Sequence, residues 1–250
     1  MDAFEQGKRI VRILNEEGYK AYFAGGWVRD YLLSHPSNDI DIATDCPMPK
    51  LLDLFPNALL VGMQFGVIVL PIDGHLFEIA TFRRDIEYQD GRKPLKIESA
   101  TPEEDALRRD FTINGMFYDP LENKIYDYVQ GIQDLKKGVI RAIGDPYERF
   151  QEDRLRMIRA VRFSSRFGYP IDQETKDAII AFAPELFPAV ATERIYQELK
   201  KMAESARFKL ALHDLYDLKL LEEIIPSLKN VHKHDFEKRI SRIDETLPFA

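Results

Sequence analysis

Two stretches decide the fold: Ala21-Tyr22-Phe23-Ala24-Gly25-Gly26-Trp27-Val28-Arg29-Asp30 and, shortly after it, Asp39-Ile40-Asp41-Ile42-Ala43-Thr44. In the first, a short apolar run ends in two glycines and Val28 to Leu33 resumes at helical spacing, which predicts a strand, a glycine turn and a helix. In the second, Ile40 and Ile42 alternate with Asp39 and Asp41, so a strand here turns both isoleucines to the core and both carboxylates to the other face. Two hard oxygen ligands side by side suit magnesium, which takes its remaining ligands from water and phosphate. An isolated D-x-D is equally the mark of a solvated strand face or a turn. The glycine turn beside it shifts the reading, because Gly25 and Gly26 permit close backbone approach and the N–H groups opening the next helix favour an anion such as a triphosphate. Glu78, in Phe77-Glu78-Ile79-Ala80-Thr81, is either a third carboxylate from a neighbouring strand or a surface acid.

Outward from this centre, residues 3 to 18 place Phe4, Ile10, Val11 and Leu14 at helical spacing before Gly18. Leu59 to Val61, Val67 to Ile72 and Leu76 to Thr81 are apolar or β-branched runs set off by glycines, and with the two strands above they predict a small mixed sheet. Residues 84 to 104 are polar, contain Gly91 and Pro94 and show no helical period, so they read as a long mobile connection with a functional role. Beyond Gly131 the strand signals fade. Asp145-Pro146 opens a helical region, with further helices expected over 172 to 183, 192 to 204 and 205 to 222. The expected fold class is therefore α+β: a mixed-sheet head over residues 1–136, an all-helical domain over 137–228 and an extension over 229–250. No internal repeat or low-complexity tract interrupts the 250 residues.

Composition narrows the function. A net charge of -7 excludes nucleic-acid binding by bulk charge, so any RNA contact needs a local basic patch. The single cysteine, Cys46, supports neither a disulfide framework nor a zinc site, and no stretch reads as a signal peptide or a membrane span, which together predict a cytoplasmic protein with no membrane partner. His213-Asp214 and His232-Lys233-His234-Asp235 lack further spaced ligands and are assigned no metal.

Four segments in order, Gly25-Gly26-Trp27-Val28-Arg29-Asp30, Asp39-Ile40-Asp41-Ile42-Ala43-Thr44, Arg108-Arg109-Asp110-Phe111-Thr112-Ile113-Asn114 and Glu152-Asp153-Arg154-Leu155-Arg156, resemble the successive motifs of the class II tRNA nucleotidyltransferases, a family of CCA-adding and A-adding enzymes and bacterial poly(A) polymerases. The resemblance runs from about residue 8 to residue 225. It implies a head like that of DNA polymerase beta, followed by a helical neck. It further implies Asp39 and Asp41 as magnesium ligands, with Gly25, Gly26, Arg29, Arg109 and Asn114 around the incoming ATP or CTP. Asp153, Arg156, Arg159 and Arg162 would come from the first helix of the neck, where residues three apart can address one ligand, and where the arginines alone would read as a solvated face.

The implied reaction is attack of a tRNA 3′ hydroxyl on the nucleotide α-phosphate with loss of pyrophosphate. Gly62-Met63-Gln64-Phe65-Gly66 lacks the basic, His-containing segment shared by the poly(A) polymerases, and Asp85 to Leu107, with Asp90-Gly91-Arg92-Lys93-Pro94, has the length associated with A addition. CCA addition is thus expected first, with A addition, poly(A) synthesis and a non-enzymatic RNA-binding module as alternatives. Family members continue into body and tail regions that grip tRNA, and residues 229–250 read as the start of such a body. The sequence leaves the oligomeric state open.

Overall fold

The computed structural model describes residues 2–35, 37–62, 66–89 and 93–243. Helix α1 (Ala3–Glu16) starts where the Asp2 carboxylate accepts from the Glu5 N–H at 2.8 Å, and it ends before Gly18, whose φ of 86° only glycine adopts freely. Ile10, Val11 and Leu14 are buried on it as the periodicity predicts, while Phe4 is only partly buried and the neighbouring Ala3 is buried instead. Strand β1 (Ala21–Ala24) then passes through Gly25 into α2 (Gly26–Leu32). Phe23 lies fully buried on β1 with its ring edge-on to Trp27 of α2, centroids 4.9 Å apart, which fixes the helix over the strand.

Strands β2 (Asp41–Thr44), β3 (Leu59–Gly62), β4 (Val67–Ile72), β5 (His75–Thr81), β8 (Met116–Asp119) and β9 (Lys124–Asp127) join β1 in one seven-stranded sheet of order β3-β4-β5-β2-β1-β8-β9, with α3 (Met48–Leu54) between β2 and β3 in the chain. The β2/β5 pair is parallel and the other neighbours are antiparallel, so the sheet is mixed. Strand β2 begins at Asp41; Asp39 and Ile40 precede it rather than lying within it. The alternation holds across that boundary all the same, with Ile40 and Ile42 buried and both aspartates exposed.

The stretch expected to be a mobile connection contains regular structure. Strands β6 (Arg83–Gln89) and β7 (Lys93–Ser99) form a separate two-stranded sheet, and α4 (Pro102–Leu107) follows through a capping box in which Thr101 and Glu104 satisfy each other's backbone N–H groups. Residues 90–92 of that stretch lie outside the described residues, as do Met63-Gln64-Phe65 and residues 244–250.

The chain divides into two compact units: Met1–Glu87 with Leu95–Leu135, and Tyr88–Pro94 with Lys136–Ala250. After α5 (Gly131–Lys137), the second unit is helical: α6 (Pro146–Glu152), α7 (Leu155–Phe167), α8 (Gln173–Phe182), α9 (Leu186–Ala189), α10 (Thr192–Ala203), α11 (Phe208–Asp217), α12 (Leu220–Ile224) and α13 (Lys233–Ile240). Asp145 caps α6 as expected, accepting from the Tyr147 N–H at 2.8 Å. The single helix expected over 205 to 222 is two, because Lys219 takes a left-handed φ of 64° between α11 and α12. Helix α7 packs on both α10 and α11, and its Ile158, Val161 and Phe163 are buried.

Candidate active site

In the first unit, backbone pairing sets the acidic centre. Asp41 lies in register with Glu78 across the parallel β2/β5 pair and with Ala24 across the β1/β2 pair, so the Gly25 turn and two carboxylates meet at one end of the central strands. Gly25 holds a φ of 65°, and a methyl group there would lie 3.1 Å from Arg109 Nη1 and 3.9 Å from Asp41 Oδ2. The turn is therefore glycine for two reasons, its dihedral and the charged groups that crowd it. Withdrawal from bulk water on its inner side, followed by the nearby Glu78 and Asp39 charges, pushes the Asp41 carboxyl up to about 7, against the lowering effect of Arg109. That is the signature of a carboxylate drawn away from water and set among like charges with too little positive charge to balance them.

Arg109 owes its position to a residue the sequence reading passed over. Asp105, buried in α4, accepts from Arg109 Nε at 3.1 Å and Nη2 at 2.9 Å, and also from Arg108 Nε at 2.9 Å. Burial alone would raise the Asp105 carboxyl, but Arg109 and Arg108 outweigh it and hold it below the usual carboxylate range. The helical i, i+4 spacing from Asp105 to Arg109 was available in the sequence once Thr101-Pro102-Glu103-Glu104 is read as a helix start.

Arg29 and Asn114 point inward. Arg29 is 3% exposed, donates from Nε to Asp30 at 2.8 Å and from Nη1 to the Asn114 side-chain oxygen at 2.5 Å, while Asn114 Nδ2 donates to Asp110 at 3.0 Å. A methyl group on Gly26 would lie 3.3 Å from Arg29 Nη2. The glycine turn and the 3₁₀ turn Thr112–Asn114 are thus tied by one buried polar network. The start of α5 braces that turn from behind: Thr112 Oγ1 donates to Asp134 at 2.8 Å, and a methyl group at Gly131 would sit 2.3 Å from the Thr112 carbonyl oxygen.

In the second unit, Asp153 occupies the break between α6 and α7, with extended φ and ψ of −146° and 105°. It does not lie on a helix with Arg156, as its spacing suggested, because the chain turns at 153–154 before α7 begins. Asp153 Oδ1 accepts from the Leu155 N–H at 3.0 Å and Oδ2 from Arg194 Nη2 at 3.2 Å. Arg156 donates from Nη1 to Glu152 at 2.7 Å and to the Arg149 carbonyl at 3.1 Å. Arg159 and Arg162 are not an open basic stripe: Glu198, 5% exposed on α10, pairs closely with Arg162 and lies 4.0 Å from Arg159, and both guanidinium groups lie over the Phe163 ring. In the first unit the structure thus gathers Gly25, Gly26, Asp39, Asp41, Glu78 and Arg109 and ties Arg29 to Asn114; in the second, Asp153 meets Arg194, and Arg159 and Arg162 meet Glu198, the two partners both on α10, while Arg156 is held by Glu152. Sequence reading missed Glu198 and Arg194, which stand far from their partners in the chain and carry no local signal.

A mixed sheet with a strand-glycine-helix turn beside carboxylates on a central strand is the head of a DNA polymerase beta-like nucleotidyltransferase. Residues 21–141 match the family described as poly A polymerase head domain, and residues 168–231 match that described as the probable RNA and SrmB-binding site of polymerase A. The CCA-adding enzyme of Bacillus pumilus (strain SAFR-032) is 39% identical over 94% of this chain and 58% of its own length. That of Geobacillus thermodenitrificans (strain NG80-2) is 42% identical over 80% of this chain and 49% of its own. The crystal structure of the Bacillus stearothermophilus CCA-adding enzyme in complex with CTP superposes with a TM-score of 0.83 at 33% identity, covering 96% of this chain and 57% of that one. The chain belongs to the class II tRNA nucleotidyltransferase and poly(A) polymerase family, and it spans about half the length of the curated relatives it matches.

Proposed function

We propose that the chain carries the catalytic and nucleotide-selecting part of a CCA-adding enzyme, transferring CMP and AMP from CTP and ATP to the 3′ end of tRNA with release of pyrophosphate. The observation that carries the reading is the meeting of Asp41, Glu78 and the Gly25 turn under Arg109. The similarity to enzymes solved with CTP and with tRNA supports it. Head, neck and the beginning of a body are assigned to residues 1–136, 137–228 and 229–250.

The donor set fits magnesium. Asp39 and Asp41 would hold the ion, with water and phosphate oxygens filling the other positions, and Glu78 would tune the charge beside them. Bound magnesium would neutralise the crowded carboxylates and the triphosphate. The chain's own residues do the rest. Gly25 and Gly26 let the phosphates approach the backbone, Arg109 opposes their charge, and Arg29 and Asn114 keep the turn in shape. Asp153 and Arg156 are assigned to base reading: an ionised carboxylate accepts from the exocyclic amine common to cytosine and adenine, and a guanidinium donates to the adjacent ring nitrogen. Arg159 and Arg162 line the same selecting surface.

Asp41→Ala is the test. Pyrophosphate release with tRNA, CTP and ATP should fall by at least about 100-fold while the circular dichroism spectrum stays unchanged. Retention of a tenth of the wild-type rate contradicts the assignment.

A further inference from the structure

Helix α10 presents two oppositely charged side chains one turn apart, and each grips a charged residue of the segment assigned to nucleotide selection. Arg194 Nη2 meets Asp153 Oδ2 at 3.2 Å, and Glu198 pairs with Arg162 and Arg159. The i, i+4 spacing puts Arg194 and Glu198 on one face of α10, the face that packs on α7. We propose that α10 is a positioning element for base selection, with Arg194 the residue that sets the orientation of the Asp153 carboxylate.

The inference rests on the base-reading role proposed for Asp153, and the geometry takes it further. An ionised carboxylate has about four acceptor positions. One on Oδ1 is taken by the Leu155 N–H and one on Oδ2 by Arg194, so the plane of the group is fixed from both oxygens and lone pairs remain for a base. The terminal torsion of an aspartate is otherwise broad and nearly two-fold, so the Leu155 contact alone leaves the second oxygen free to swing. A base-reading carboxylate that swings can also tolerate a carbonyl opposite it by turning aside, which is how selectivity is lost.

The two clamps differ in what they contribute to folding. The Arg194 side chain is 38% exposed, so its ion pair adds little to stability. Glu198 is buried against Arg162, and removing it strands a buried charge, which is strongly destabilising. Arg194 is therefore the position at which orientation can be perturbed without loss of the fold, and Arg194→Met keeps most of its stem packing.

The experiment is single-nucleotide addition by the full chain to a tRNA primer, with each of the four triphosphates separately, for wild type, Arg194→Met and Arg194→Lys. Melting temperatures are measured alongside. Arg194→Met should raise the use of UTP relative to CTP by at least about tenfold, through a higher KM for CTP with kcat changed less than about threefold. Arg194→Lys, which restores a cationic donor without the planar fork, should recover part of the selectivity. Unchanged selectivity in Arg194→Met beside an active wild type overturns the inference alone. So does tighter CTP binding with selectivity intact, which would make Arg194 a competitor for Asp153. A wild-type chain that transfers no nucleotide refutes the transferase reading and this inference with it.

Discussion

Asp41→Asn should make the metal-free chain more stable at pH 8, although it removes a functional group. The carboxyl is raised from 3.8 to about 7 in the folded chain, so between those values the folded state binds more protons than the unfolded one and stability falls as pH rises. Below about pH 4 both states are protonated and the residue is neutral to stability. Above about pH 7 both are ionised and the full penalty applies. A shift of about three units at 1.36 kcal/mol each sets a ceiling near ~4 kcal/mol. Asp41 keeps a solvent-exposed side, and screening reduces the expected gain to roughly 1–2 kcal/mol. Urea denaturation in a chelating buffer, at pH 4 and pH 8, reads the difference between wild type and variant. It should be near zero at pH 4 and positive for the variant at pH 8. Millimolar magnesium at pH 8 should then stabilise the wild type and leave the variant nearly unmoved, because only the folded wild type gains a ligand. A variant less stable than wild type at pH 8 without metal would show that Asp41 is satisfied by protein partners, and the case for a cation at this place would fall.

Two further outcomes follow from named contacts. Asp153→Asn replaces an acceptor-only group with an amide that also donates, so use of UTP or GTP relative to CTP and ATP should rise at least about tenfold in single-nucleotide addition; a uniform loss with unchanged preference would make Asp153 structural. Gly131→Ala would put a methyl group 2.3 Å from the Thr112 carbonyl oxygen, and the turn carrying Asn114 must shift, so the chain should lose more than about 2 kcal/mol in denaturant titration, with a near-neutral result contradicting the packing described.

What could be read ahead of the structure was what local chemistry dictates. The Asp145 cap, most of the buried stripe of α1, the glycine turn after β1 and the burial of Ile40 and Ile42 all follow from residues adjacent in the chain. The β6/β7 ribbon was not legible because Arg83-Arg84-Asp85-Ile86-Glu87 and Lys93-Pro94-Leu95-Lys96-Ile97 show no strict alternation, and the ribbon lies outside the main sheet, whose buried face would impose it. The breaks at Asp153 and Lys219 are likewise silent, since neither residue is a helix breaker by type. At the candidate site the acids and glycines announced themselves. Their supports did not: Asp134 for Thr112, Arg194 for Asp153 and Glu198 for Arg162 come from distant positions, and only packing brings them together.

The measurement that bears most directly on nucleotidyl transfer is sequencing of the products made by the 250-residue chain on tRNAs ending before the first C, before the second C and before the A, with CTP, ATP and magnesium. The predicted result is completion of each to CCA and then arrest, with every addition lost in Asp41→Ala. Long A tails, or tRNAs returned unextended by the wild-type chain, would contradict it.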